Sequence, residues 1–169
     1  MGISELFESA LADWRRERPD LDIEAMSPVT RILAAATLTR RIGEQVAMTE
    51  GLSFGEYEVL AVLRRSPDGA PVKPGPLAQR IFISPGGLTN RLDRLEDARM
   101  INRRRDPADG RSSLVTLTAK GRRTVDAVFE KLAASGADTF SVLSPSETKV
   151  LVDALDRAIE QALSHLDRL

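Results

Sequence analysis

Ser84-Pro-Gly-Gly-Leu-Thr-Asn-Arg-Leu-Asp-Arg-Leu-Glu-Asp-Ala-Arg99, then Met100-Ile-Asn-Arg-Arg-Arg105, Asp106-Pro-Ala-Asp-Gly-Arg111 and Ser112-Ser-Leu-Val-Thr-Leu-Thr118, sets the architecture of this chain. Ser84 suits a helix N-cap, and Pro85 suits the first helical position, where its missing N–H has no partner to lose. Leu88, Leu92 and Leu95 recur at helical spacing and predict one inward face. Gly87, Asn90, Arg91 and Arg94 form the opposite, polar face. Met100 to Arg105 and Ser113 to Thr118 predict two short strands, the second alternating Leu114, Thr116 and Thr118 against Val115 and Leu117. The Pro, Asp and Gly between them supply the chemistry of a hairpin tip.

A helix that presents polar groups, followed at once by a basic two-stranded hairpin, is the winged helix-turn-helix arrangement. An ordinary surface helix and hairpin is the alternative, and the cationic tip weighs against it. Working outward, Pro74 to about Ile81 predicts a short positioning helix with Leu77, Ala78 and Ile81 inside. Val72 is a short strand candidate beside the wing, and Ser66-Pro-Asp-Gly69 is a turn. Gly51 breaks one helix, and Ser53-Phe-Gly-Glu56 is a capping box that opens the next, with Tyr57, Leu60, Ala61 and Leu63 inward.

Toward the amino terminus, Ile3 to about Arg18 predicts a helix with Leu6, Phe7, Ala10, Leu11 and Trp14 inward, ended by Pro19. Ser27-Pro28 opens a long helix to about Met48, whose Ile32, Ala35, Ala36, Thr39, Gly43 and Val46 share a face. Toward the other end, Thr118-Ala-Lys-Gly121 opens a helix to about Ser135, with Val125, Val128, Phe129 and Leu132 at helical spacing. Ser144-Pro-Ser-Glu147 caps a last helix, Pro145 to Leu169, apolar on a wide face. The fold class is therefore mainly α: a winged helix-turn-helix core at 51–120, with helices at 1–50 and 121–169 expected to dimerise.

The 169 residues, 42% hydrophobic and 29% charged, describe a soluble globular chain with no apolar run near a membrane span. The acidic, amphipathic amino terminus is unlike a signal peptide, so the expected location is cytoplasmic. Without cysteine, disulfides and thiolate metal sites are excluded, and the one histidine, His165, is a poor start for a metal or catalytic centre. No nucleophile–base pair and no longer phosphate-loop pattern around Gly86-Gly87 suggests an enzyme, and no cofactor is expected.

The net charge of −1 conceals a division. Arg64 to Arg123 holds 14 Lys and Arg against 6 Asp and Glu, a net of +8, and the remainder is −9. Phosphate binding responds to the local field within a Debye length of about 10 Å, so the middle of the chain can meet a polyanion. The apolar terminal helices either fold back on their own core or are covered by a second copy. A two-fold dimer is the expected answer, because it sets two recognition helices one DNA turn apart, about 34–36 Å.

In order and spacing, Ser84 to Glu96, Met100-Ile-Asn-Arg103, Asp109-Gly-Arg111-Ser and Val115-Thr-Leu-Thr-Ala-Lys-Gly121 resemble the recognition helix, wing and wing exit of the MarR family of bacterial transcription regulators. The resemblance spans about Val29 to Leu132, and implies a homodimer on double-stranded DNA at a pseudo-palindromic operator. It places Ser84, Gly86, Gly87, Thr89 and Asn90 in the major groove, where Asn can pair with adenine and glycines allow close backbone approach. Arg111 would enter the minor groove, oriented by Asp109. Arg104 and Arg105 are candidates for phosphate contacts, as is Arg94 for the DNA face. A solvated charged surface is the alternative for each arginine.

A narrower resemblance is to the urate-responsive branch of that family, through an added N-terminal helix bearing Trp14 and through Glu58, Arg91 and Arg103. Glu58 stands where that branch has Asp. The branch implies a small anionic aromatic effector, such as urate or a phenolic acid, stacked on Trp14 and paired with the arginines. The other reading of Trp14 is a core residue that anchors its helix. The expected function is a repressor released from DNA by such a ligand; the alternatives are a winged-helix protein-interaction module and a DNA binder without a ligand response.

Overall fold

Two residues in left-handed or capping geometry punctuate the front of the chain. Gly51, at φ +73°, ends one helix, and Ser53 starts the next by accepting the Glu56 N–H while Glu56 returns a bond to the Ser53 N–H. The computed structural model describes residues 2–107, 112–166 and 168. Its helices are α1 (Ile3–Glu17), α2 (Met26–Met48), α3 (Phe54–Arg64), α4 (Pro74–Arg80), α5 (Pro85–Asp97), α6 (Ala119–Phe140) and α7 (Pro145–Leu166). A short 3-10 turn, Pro67–Gly69, lies between α3 and α4, and the strands are β1 (Ile101–Arg105) and β2 (Ser113–Leu117). The chain forms two compact units, Met1–Val128 and Phe129–Leu169.

In the first unit, α3 is the central post. Val59, Leu60, Val62 and Leu63 are all buried on it, as are Leu77 of α4, Leu88 and Leu95 of α5, Ile101 and Val115 of the strands, and Val125 and Val128 of α6. Each such side chain is worth about 1.5–3 kcal/mol of transfer free energy, so the apolar spacing dictates how these elements meet. The hairpin is antiparallel, with Ile101 opposite Leu117 and Arg105 opposite Ser113. Val72 exchanges two backbone bonds of 2.9 Å with Val115, which gives β2 the short flanking strand its position predicts.

Two glycines mark close approaches, one to a ring and one to backbone. A Cβ on Gly43 would lie 2.5 Å from the Phe54 ring, so α2 meets α3 at van der Waals distance, with Glu44 accepting the Phe54 N–H at 2.9 Å. A Cβ on Gly121 would lie 2.0 Å from the Met100 carbonyl oxygen. That carbonyl, the last before β1, accepts the Thr118 N–H at 3.0 Å, and the Thr118 hydroxyl accepts the Gly121 N–H at 3.0 Å. Thr118 therefore leaves the strand to cap α6.

Several local expectations are corrected. Ser27 does not cap α2: Met26 and Ser27 already donate to Ile23 and Glu24, so helical bonding begins earlier and the Ser27 hydroxyl serves Arg31 instead. α6 continues past Ser135 and through Gly136 to Phe140, since no proline interrupts it. Leu6 and Trp14 face water in the single chain rather than inward, whereas Leu11 is buried. The helix α1 is held to α2 by the Arg31–Glu8 ion pair at 2.8 Å and by the Arg31 guanidinium over Phe7.

In the second unit, the Ser144–Glu147 capping box opens α7 as expected, and hydrogen bonding to Ser144 holds the Glu147 carboxyl below its ordinary pKa. No described residue of α7 is buried, and Val150, Ile159 and Leu166 are each more than half exposed. No helix among the described residues is long and apolar enough to cross a membrane.

Candidate nucleic-acid interface

The helix α5 is built as its sequence demands. Ser84 accepts the Gly87 N–H at 3.3 Å, Pro85 opens the first turn, and Leu88, Leu92 and Leu95 are each at most 3% exposed. Burying that stripe turns Ser84, Gly86, Gly87, Thr89, Asn90 and Arg94 outward on one exposed face. Thr89 donates its hydroxyl to the Pro85 carbonyl, so its proton is committed within the helix. A Cβ on Gly86 would meet nothing within 4 Å, so this glycine is not required by packing inside the chain. Arg94 is three-quarters exposed, with Glu56 3.9 Å away, too far for a tight pair.

Arg91 and Arg103 behave differently. The Arg91 guanidinium donates to the Gly55 carbonyl at 3.1 Å and to Glu58 at 3.3 Å. It fills the space a Gly55 side chain would take, since a Cβ there would lie 2.6 Å from its central carbon. Arg103, on β1, bonds Asp93 at 2.7 Å and Glu96 through its Nε at 2.7 Å, while its backbone N–H also reaches Glu96. The Glu96 hydrogen bond, with help from Asp93, pushes its pKa above the usual arginine value, so it is always charged. These two residues clamp the outward-facing helix to α3 on one side and to the wing on the other.

On the wing, Arg104 and Arg105 are exposed and have no ion pair among the described residues. Asp109 and Arg111 lie outside the described residues. The wing base holds what the spacing of charges did not reveal: Asp106, 6% exposed, pairs with Lys73 at 2.8 Å, and its N–H donates to the Ser112 carbonyl at 3.0 Å. Lys73 precedes α4 and Asp106 follows β1, so only the fold brings the pair together. Asp106→Ala is expected to lower stability by about 1–2 kcal/mol in urea titration and to weaken DNA binding, with Asp106→Asn intermediate.

The remaining candidates sit apart. Trp14 is 59% exposed, beside a shallow crevice of about 250 Å³ lined by Ala10, Asp13, Trp14 and Glu17. Its walls come from α1, and Glu58, Arg91 and Arg103 are not among them. Arg80, exposed at the end of α4, and Phe82, exposed in the turn that follows, were not singled out by spacing, although Arg80 belongs to the basic middle of the chain.

A positioning helix, a polar recognition helix and an antiparallel basic wing, locked by Arg91 and Arg103, define a winged helix-turn-helix protein. Known proteins share this arrangement. Residues 50–112 match the model of the MarR family. The chain is 35% identical over 146 residues to the transcriptional regulator PecS of Dickeya dadantii, covering 85% of this chain and 87% of PecS. It resembles the structure of AbsC, a MarR family regulator from Streptomyces coelicolor, at TM-score 0.73 and 25% identity, over 88% of this chain and 97% of that one. A single-residue mutant of Escherichia coli MarR, solved with operator DNA, shares the fold at TM-score 0.71 and 21% identity, over 82% and 98% of the two chains. The chain belongs to the MarR family of transcriptional regulators. It is thus a DNA-binding regulator and not an enzyme.

Proposed function

We propose that two copies join through the helices of 1–50 and 121–169, present the 51–120 cores to successive half-sites, and repress transcription from a pseudo-palindromic operator in the cytoplasm. The observation that supports this most is the pairing of an outward polar α5 with a wing strand whose Arg104 and Arg105 project into water. Ser84, Gly86, Gly87, Thr89 and Asn90 would read the major groove, Arg94, Arg104 and Arg105 the phosphates, and Arg111, oriented by Asp109, the minor groove. Dimerisation is supported by apolar side chains left in water on both sets of helices, among them Ile3, Leu33 and Leu38, and separately Val150, Ile159 and Leu166.

The effector reading adds a small anionic aromatic ligand, such as urate or a phenolic acid, that competes for Arg91 and Arg103 and stacks on Trp14. Displacing either arginine would loosen α5, and release follows if the ligand prefers the loosened geometry. Asp13 and Glu17 line the crevice beside Trp14, and their shared pairing with Arg16 leaves a net negative charge that opposes an anion there. That observation favours the second reading, DNA binding without a ligand response.

A gel shift on the intergenic DNA upstream of its own gene, with and without urate and salicylate, tests both. A retarded complex supports the operator, and its release by either ligand supports the effector. If either ligand releases the DNA, Trp14→Ala is expected to keep DNA binding and the dimer while abolishing that release. Release at an unchanged midpoint would remove Trp14 from the ligand site.

A further inference from the structure

We infer that Phe82 is a further DNA-contacting residue, its ring set against the deoxyribose carbons and thymine methyl groups that flank the α5 contact. The inference rests on the DNA-binding reading above. Phe82 lies in the turn between α4 and α5 and is 82% exposed. Its backbone is left-handed, at φ +53°. Its N–H donates to the Gln79 carbonyl at 3.3 Å, and the Ile83 N–H donates to Ala78 at 3.2 Å, which closes the end of α4. This is the position that helix ends most often give to glycine, because a side chain there crowds the backbone.

A phenyl group here combines backbone strain with a large apolar surface left in water, and glycine would remove both. Ile81 and Ile83, on either side, are partly buried, so the turn anchors itself through them and leaves the ring outside. The ring stands two residues before Ser84, the cap of α5, and two after Arg80, which is exposed and has no ion pair among the described residues. Both neighbours are exposed, and in the DNA-binding reading Ser84 lies on the face that meets the duplex. A benzene ring has no hydrogen-bond donor for phosphate, so its partners are the apolar groups of the groove wall: sugar carbons and the thymine C5-methyl. Residues held in sparsely populated backbone conformations cluster at active sites, ligand clamps and switch regions.

The contact is tested by fluorescence anisotropy on a labelled duplex from the intergenic DNA upstream of its own gene, across a salt series. Urea unfolding and sedimentation are measured alongside. Phe82→Gly is expected to bind about tenfold more weakly, from the loss of one buried aromatic contact. Its slope of log affinity against log salt should match wild type, because no charge is removed. Its unfolding midpoint should equal or exceed wild type, and Phe82→Tyr should keep wild-type affinity. Equal binding by Phe82→Gly overturns the contact, as does a loss of binding that tracks a lower unfolding midpoint. A changed salt slope overturns its apolar character, and a changed assembly state assigns the ring to a second copy instead. If wild-type protein ignores the duplex, the operator reading falls and this contact with it; if wild type binds and Phe82→Gly binds equally, only the contact falls.

Discussion

Gly121→Ala is expected to destabilise the protein by about 3 kcal/mol or more, seen as a fall of roughly 10 °C in Tm at fixed protein concentration. The new methyl would lie 2.0 Å from the Met100 carbonyl oxygen and 3.2 Å from a Leu117 methyl. The first of these cannot yield by a rotamer change, because it is backbone already tied to the Thr118 N–H. Relief requires α6 to shift away from the base of the hairpin, which would also disturb the Lys120 bond to the Ala98 carbonyl at the end of α5. Gly136→Ala is the control. It sits in the same helix with nothing within 4 Å of a new Cβ, and should change stability by no more than about 1 kcal/mol, in the stabilising direction. A Gly121→Ala protein that melts with wild type would mean the junction between hairpin and α6 is not the close contact described.

Charge reversal on the wing is expected to have the largest effect on DNA. The double variant Arg104→Glu, Arg105→Glu should lose roughly two orders of magnitude or more in affinity at about 0.1 M salt, and the neutral pair of alanine substitutions should lower the salt slope by about 2. Neither change should move the Tm, since both side chains are exposed and have no ion pair among the described residues. Arg103 provides the contrast. It is tied to Asp93 and Glu96, so its removal should cost stability first and DNA binding as a consequence. An unchanged salt slope in the double alanine variant would take the wing strand away from the phosphates.

Much of this arrangement is legible in local patterns. Ser53, Ser84 and Ser144 each begin a helix where a capping residue and a suitable neighbour predict one, because a cap is satisfied within four residues and needs no distant partner. The leucines of α5 share one side for the same local reason: a spacing of three and four residues aligns them whatever the rest of the chain does. Ser27 shows the limit, since an earlier turn at Ile23 and Glu24 pre-empted its cap. Trp14 shows another, because helical periodicity says which residues share a face and not whether a single chain covers that face.

Element types, the polar face of α5, the basic hairpin and the segregation of charge all follow from neighbours close along the chain, and so can be read before any folding is known. Four other features required the folded molecule: Arg91 filling the space left by Gly55, Asp106 buried against Lys73, Gly121 lying against Met100, and Phe82 standing outward in a strained turn. The reason is one of range. Caps and periodicities are set by bonds a few residues long. These contacts instead join distant segments, or depend on how two helices are held, and exist only once the apolar core has fixed where α3, α5 and the hairpin meet.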